Sequence, residues 1–228
     1  MIVWGELPPG ARISERSVAE LLGVSRTPVR SAMHRLEQEG FIQEHGGARH
    51  HRLIVAPLTA DDGREIFFVV GHLEGLAARF AASSSKEQRS EIVKRMRGIN
   101  RELARQRRDR MDAVSWLELD TKLHECYVEG VAGPRLLALH RAIKPQAERY
   151  ALLYVSVLVS EVSVSVREHE RIADAIAKGD ATGAQKAAES NWHNAAERLA
   201  RIIERHGERG SWRLLAPPSR AGLDTAGG

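Results

Sequence analysis

The stretch Gly23-Val24-Ser25-Arg26-Thr27-Pro28-Val29-Arg30 constrains the fold more than any other. A helical run from Glu15 to Leu22 precedes it, and a second from Pro28 to Glu39 follows and stops at Gly40. Gly23 lets the chain turn sharply between the runs. Pro28 suits a first helical turn, where its missing N–H costs nothing, and Thr27 stands ready to cap it. Two short helices across a tight turn predict a helix-turn-helix, whose second helix can enter a DNA major groove. That helix has a buried stripe of Val29, Ala32, Met33 and Leu36, and an opposite face of Arg30, Ser31, His34, Arg35 and Gln38 that carries no acid. Arg26 sits just before its start. Arginine can bridge guanine O6 and N7 or fork onto a phosphate. Helix pattern alone fits a solvated basic face equally well.

The flanks extend the motif. Gly5 to Ile13 reads as a loop around Leu7-Pro8-Pro9-Gly10. Ser14 can cap the first helix, with Val18, Leu21 and Leu22 as its apolar face. After Gly40, Phe41 to Glu44 reads as a strand, His45 to Ala48 as a turn and Arg52 to Val55 as the returning strand, which makes a wing. Arg49, His50, His51 and Arg52 lie at its tip. Adjacent His50 and His51 face opposite sides of a strand, which argues against a shared metal. Residues 1–57 hold seven Arg and six Glu, so the signal for an anionic partner lies in where the charges sit. The whole chain carries a net charge of +4 and a pI near 9.5.

Ala56-Pro57-Leu58 reads as a linker. Thr59-x-x-Asp62 resembles a capping box and opens a long helix with a stripe of Ile66, Val70, Leu73, Ala77 and Phe80, ended by Ser83-Ser84-Ser85. Helices follow from Lys86 to about Arg108, from a cap at Asp112 to Val128, from Gly133-Pro134 onward with a kink or break at Pro145, from a cap at Ser163 to Lys178, and from a cap at Asp180 to Gly207. The predicted fold is therefore mainly α: an N-terminal winged helix-turn-helix, residues 1–57, and an all-α antiparallel bundle of about six helices, residues 58–206. A tail, residues 207–228, is expected to be largely disordered. The single Cys126 excludes an intrachain disulfide. The apolar stretch Ala151 to Val159 is too short to span a bilayer, and no signal pattern opens the chain. A cytoplasmic protein with no membrane partner is expected.

Asp120 and His124 are four apart on one helix and share a face. His169 aligns with Ile172 and Ile176, and His193 with Ala196, Ala200 and Ile203. One carboxylate and three imidazoles thus face inward from three helices, a set that suits zinc, nickel or manganese. Each residue alone also fits a hydrogen-bonded core position, and Asp120 and His124 can simply pair. Cys126 falls on the other side of its helix. His72, His140 and His206 have no matching partners. Glu168 and Glu170 flank His169 but point elsewhere, so no catalytic base is evident and an enzyme is not expected.

These motifs resemble the GntR family of transcriptional regulators, in its FadR-type branch. The carriers are Leu7-x-Pro9-Gly10, Ser14-Glu15-Arg16, Val18 to Arg30, and Arg35-Leu36-Glu37-x-Glu39-Gly40-Phe41. The C-terminal part is similar to the FCD domain of that branch, through Leu73-Glu74 with Ala77-Ala78 and Ala81-Ala82, Asp120-x-x-x-His124, Glu168-His169-x-x-Ile172, and Asp180 with Asn191-x-His193. Six helices resemble the VanR-type subgroup. The resemblance implies a homodimer that reads a palindromic double-stranded operator, acts as a repressor, and responds to a small organic acid. It implies DNA contacts from Arg16, Ser25, Arg26, Thr27 and Arg30, beside His34 and Arg49 from the helix face and wing. It also implies Asp120, His124, His169 and His193 as ligands of a divalent metal ion. Where the family often has an arginine four before Glu74, this chain has Val70, so the metal, helped by Arg149 or His72, is expected to hold the acid. Where the family usually has a full helix before Gly5, only Met1 to Trp4 stand here.

Overall fold

A long central helix organises the larger part of the molecule. The computed structural model describes residues 1–46, 52–105, 113–158 and 162–208. Its element order is β1 (Arg12–Ile13), α1 (Glu15–Leu22), α2 (Arg26–Gln38), β2 (Ile42–His45), β3 (Arg52–Val55), then α3 (Ala60–Ser83), α4 (Lys86–Arg105), α5 (Ala113–Val128), α6 (Pro134–Leu158), α7 (Val162–Lys178) and α8 (Ala181–His206). The fold is the expected winged helix-turn-helix followed by a six-helix bundle.

Local chemistry explains most helix starts. Ser14 accepts from the Ser17 N–H, Thr59 from Asp62 and Asp180 from Gly183, each filling an orphan donor of a first turn. Gly23 closes α1 at φ 66°, a left-handed conformation that glycine adopts without cost. Four expectations shift. First, α2 begins at Arg26, with Ser25 rather than Thr27 at its N-cap. Pro28 then stands third in the helix, still among the first donors that lack an intrahelical acceptor. Second, Arg12–Ile13, expected as loop, forms a strand that pairs with β3 and gives the sheet order β1-β3-β2. Third, Ser163 lies inside α7 rather than capping it. Fourth, α6 runs unbroken through Pro145. The tail beyond residue 208 lies outside the described residues.

The winged helix has a small core of Ala19, Val29, Met33 and Ile42. Leu21 and Leu22, expected to face it, are largely exposed, and Ala19 takes the inward position. In the bundle, α3 lies along α8. Its Ile66, Phe67, Val70, Ala77, Ala78 and Ala81 are buried, while Phe68, Val69, Leu76 and Phe80 remain exposed. Phe80 was expected in the buried stripe. By length and composition α3 could cross a membrane, but more than half of that window is buried among its neighbours. The close α3–α8 contact depends on Gly71, where an added Cβ would stand 2.8 Å from Trp192 Cβ, an atom fixed to the α8 backbone. Gly71→Ala should therefore destabilise the protein by about 1–3 kcal/mol through overpacking, despite alanine's better helix propensity, as read from the denaturant midpoint.

Helix α6 joins the two parts. Arg149 donates to the Ala56 carbonyl in the linker, and Tyr150 donates to Thr59 O at 3.2 Å and Asp62 Oδ2 at 2.6 Å. Arg141, Ala142 and Pro145 of the same helix line an apolar cleft with Arg35, Glu39 and Phe41 of the winged helix.

Candidate functional sites: a recognition helix and a histidine-carboxylate cavity

The residues expected to touch DNA form one exposed edge. Ser25, Arg26, Thr27, Arg30 and His34 all lie exposed on or at the start of α2. Arg26, Arg30 and His34 are four apart and share a face. Glu15 of α1 organises two of them. It accepts from Arg30 Nε at 2.7 Å and Nη2 at 3.0 Å, and from Arg26 Nη2 at 3.1 Å. The bond from Arg30 dominates in drawing the Glu15 carboxyl down to about 2; partial burial opposes it and Arg26 adds to it. Arg16 is exposed and turns to Glu20 at 2.8 Å. His34 stands 3.9 Å from Glu37. Arg49 and the wing tip lie outside the described residues.

The second site is a cavity of about 70 Å³ in the bundle, walled by α3, α5, α6, α7 and α8. Asp120, His124 and His169 meet on its wall, with one donor atom from each within 4.8 Å of the others. His169 Nε2 is 3.3 Å from Asp120 Oδ1, and His124 Nε2 is 4.0 Å from Asp120 Oδ2. The other ring nitrogens are already engaged. His169 Nδ1 faces Asn100 Oδ1 at 3.3 Å, and the Asn100 amide donates to Val166 O, which leaves its oxygen as the acceptor. His124 Nδ1 donates to Glu74 Oε2 at 2.5 Å. Burial chiefly lowers His169 to about 4, against the pull of Asp120, so its ring is neutral at neutral pH. Both Nδ1 atoms thus face acceptors, and both Nε2 atoms are turned toward the Asp120 carboxylate. One carboxylate and two imidazoles that bring a donor atom each to a common point are a donor set that fits a divalent transition metal.

His193 does not join them. It is exposed and stacks near Phe68, with ring centroids 5.1 Å apart. The inward face of α8 runs through Trp192, Ala196, Leu199 and Ile203, and Asn191 and Arg198 are the polar residues it brings to the cavity. One residue is about 100° of helix rotation, so a position two along from Asn191 points away. The bulk of Trp192 beside it was the available clue. Arg149 and His72 also lie off the cavity. Arg149 is spent on the linker, and exposed His72 directs Nδ1 to Phe68 O at 2.8 Å. The cations that do line the cavity are Lys144 and Arg198.

Two buried networks support this wall. Glu74, fully buried on α3, accepts from His124, from Tyr127 OH at 2.7 Å, His140 Nε2 at 2.9 Å, Lys144 Nζ at 3.1 Å and Trp192 Nε1 at 2.8 Å. Burial alone would raise its pKa. Lys144, then His124 and His140, hold it well below the carboxylate range. Burial and the Glu74 charge push Tyr127 well up, which keeps it a donor. His140, which had no evident partner in the sequence, is thereby accounted for. Glu168, expected to point elsewhere, is buried and accepts from Arg198 Nη2 at 3.1 Å and from Asn191 Nδ2 at 3.1 Å.

Comparison with known proteins gives these sites a context. Residues 65–206 match the FCD domain model, and residues 1–50 match that of bacterial regulatory proteins of the gntR family. The chain is 30% identical over 206 residues to the HTH-type transcriptional regulator Mce2R of Mycobacterium tuberculosis, covering 82% of each. It is 28% identical over 181 residues to a probable D-xylose utilization operon transcriptional repressor of Paenarthrobacter nicotinovorans, covering 78% of this chain and 75% of that one. The solved structure of E. coli McbR/YncC shares the fold at TM-score 0.60 and 18% identity, over 88% of this chain and 92% of the other. The matched families and relatives are regulators rather than enzymes. With a winged helix that presents arginines and an FCD domain that makes up most of its length, this chain belongs to the gntR family of DNA-binding transcriptional regulators.

Proposed function

We propose that this regulator is a cytoplasmic homodimeric repressor, released from a palindromic operator when a small organic acid binds beside a divalent metal in the helical domain. The observation that carries the reading is the convergence of Asp120 with the Nε2 atoms of His124 and His169 on the wall of the cavity. Asp120, His124 and His169 would hold the metal. When bound, the metal supplies positive charge that favours an acid in a site whose own cations are already paired. Helix α6 gives a route to the DNA. Its Lys144 lines the cavity, while Arg149 on the same helix holds the linker at Ala56. An acid that shifts α6 would change the spacing of two winged helices.

On the DNA side, Arg26 and Arg30 read bases or phosphates, with Arg16, Ser25, Thr27 and His34 as further contacts. A single recognition helix covers few base pairs, so two copies about one DNA turn apart are required. The exposed Phe68, Leu76 and Phe80 of α3 supply an apolar surface for that pairing. The linker at Ala56-Pro57-Leu58 divides residues 1–57 from 58–206. A repressor role agrees with that of the similar Paenarthrobacter protein, a probable operon repressor.

The test is metal analysis of protein purified without a His-tag, beside His124→Ala and His169→Ala variants, followed by operator release with small acids. Near-stoichiometric metal in the parent protein, loss in the variants and loss of acid-driven release are the expected results. Metal-free parent protein grown in metal-replete medium would refute the metal site.

A further inference from the structure

We propose that Glu148 selects the effector: the acid that binds carries an ammonium group of its own, as an amino acid does, and Glu148 receives that group. The proposal rests on the reading of the cavity as a metal-assisted anion site and names the class of acid that such a site takes.

Glu148 belongs to the cavity wall by its place on α6. Lys144, Ala147, Glu148 and Ala151 all line the cavity, and their spacing of three and four makes them one face of that helix. Leu117, Thr121 and Glu148 also line a neighbouring pocket that Val3 and Trp4 reach. Glu148 is half-buried and therefore stands at the mouth of the cavity. Its Oε1 accepts from Thr121 Oγ1 at 3.4 Å, and Thr121 follows Asp120 on α5. That long bond is all the carboxylate receives from the described residues.

A charge count separates Glu148 from the other charged groups of the wall. Lys144 pairs with Glu74 at 3.1 Å and Arg198 with Glu168 at 3.1 Å, so those four charges cancel. Asp120 and Glu148 are the lining carboxylates left with no Lys or Arg ion pair among the described residues. A dication held by Asp120, His124 and His169 answers Asp120. Glu148 stands outside that trio, so the metal does not serve it directly. Metal-bound imidazoles are neutral, so a dication, Asp120 and Glu148 sum to zero. Burial pushes the Glu148 carboxyl up against the pull of Lys144, the direction expected of a carboxylate short of cations. A plain acid would bring a negative charge into this neutral site, beside a half-buried carboxylate. A zwitterion brings no net charge. Its carboxylate meets the metal, and its ammonium gives Glu148 a charge-assisted hydrogen bond.

The experiment titrates the metal-loaded full chain by calorimetry with alanine, β-alanine, serine and aspartate. Each is set beside the hydroxy acid of the same skeleton: lactate, 3-hydroxypropionate, glycerate and malate. Glu148→Gln keeps the shape of the side chain and removes its charge. The expected result is that at least one amino acid binds, about tenfold more tightly than its hydroxy partner. In Glu148→Gln that amino acid should bind about tenfold more weakly, and its hydroxy partner more tightly, with metal content unchanged. If this variant does not fold, Glu148→Asp, which draws the charge back by one methylene, should weaken the amino acid and not its partner. No binding by any of the amino acids, equal binding of each pair, or undiminished amino-acid binding by the variant would each overturn the proposal. Hydroxy acids that bound where no amino acid did would overturn it and leave the metal-assisted acid site standing. Metal-free parent protein that still bound an amino acid through Glu148 would instead overturn the metal reading alone.

Discussion

Glu74→Ala should destabilise the protein by about 3–5 kcal/mol, the cost of leaving a buried charge without its partner. Lys144 would keep its ammonium in the core without its hydrogen-bonded carboxylate, left with the Trp192 ring 4.5 Å away and the Glu148 carboxyl nearby, and the His140, Tyr127 and Trp192 donors would lose their acceptor. For a chain of this length that is a fall of about 6–20 °C in melting temperature. The double variant Glu74→Met/Lys144→Met should recover much of the loss, because buried pairs are costly to break but cheap to replace with apolar groups of similar size. It should not recover metal binding. His124 loses the acceptor that fixes its Nδ1 proton and its ring orientation, and such changes lower metal affinity about 10–100-fold. Recovery of both stability and metal affinity in the double variant would show that Glu74 acts only as a filler of space. The pH dependence has a definite sign. The folded pKa of Glu74 lies below its ordinary value of 4.5. Its contribution is therefore complete above that value and is lost as acid carries the pH down toward the folded pKa. The parent protein should lose stability below about pH 4.5 more steeply than the double variant.

Arg30→Ala should weaken operator binding roughly ten- to hundredfold and relax specificity at the base it faces, if that base is a guanine bridged through two hydrogen bonds. If Arg30 binds only phosphate, the loss should be uniform across sequences and the salt slope should fall by about one. Anisotropy titrations on operator and scrambled DNA at several salt concentrations separate the two. The Glu15 contacts sharpen the expectation. Glu15 holds both Arg26 and Arg30 in the free protein, so Glu15→Gln should raise affinity for scrambled DNA by removing a negative charge. It should also narrow the gap between operator and scrambled DNA, because the two guanidinium groups lose their common anchor. Wild-type binding by Arg30→Ala, with the fold intact, would remove Arg30 from the interface.

The contrast between these two regions shows what could be read from residues in order. Helix ends at Ser14, Gly23, Thr59 and Asp180 depend on groups within a turn of one another, so their chemistry is visible in the chain. The helix-turn-helix is equally local, and the exposure of Arg26 and Arg30 follows once Val29 and Met33 are known to face inward. Asp120 and His124 were legible as a pair for the same reason, being one turn apart. What lay beyond the sequence required the rotation and approach of separate helices. Two adjacent residues on a helix differ by about 100°, so the choice between Asn191 and His193 depended on how α8 rolls against α3, which Gly71 and Trp192 set together. The Glu74 network draws donors from α5, α6 and α8 onto one carboxylate across separations of 50 to 118 residues, and no spacing rule reaches so far. Periodicity and caps fixed the elements because they are short-range. The cavity, its paired cations and the Glu148 carboxylate at its mouth exist only where the helices meet, because burial decides which polar groups must find partners.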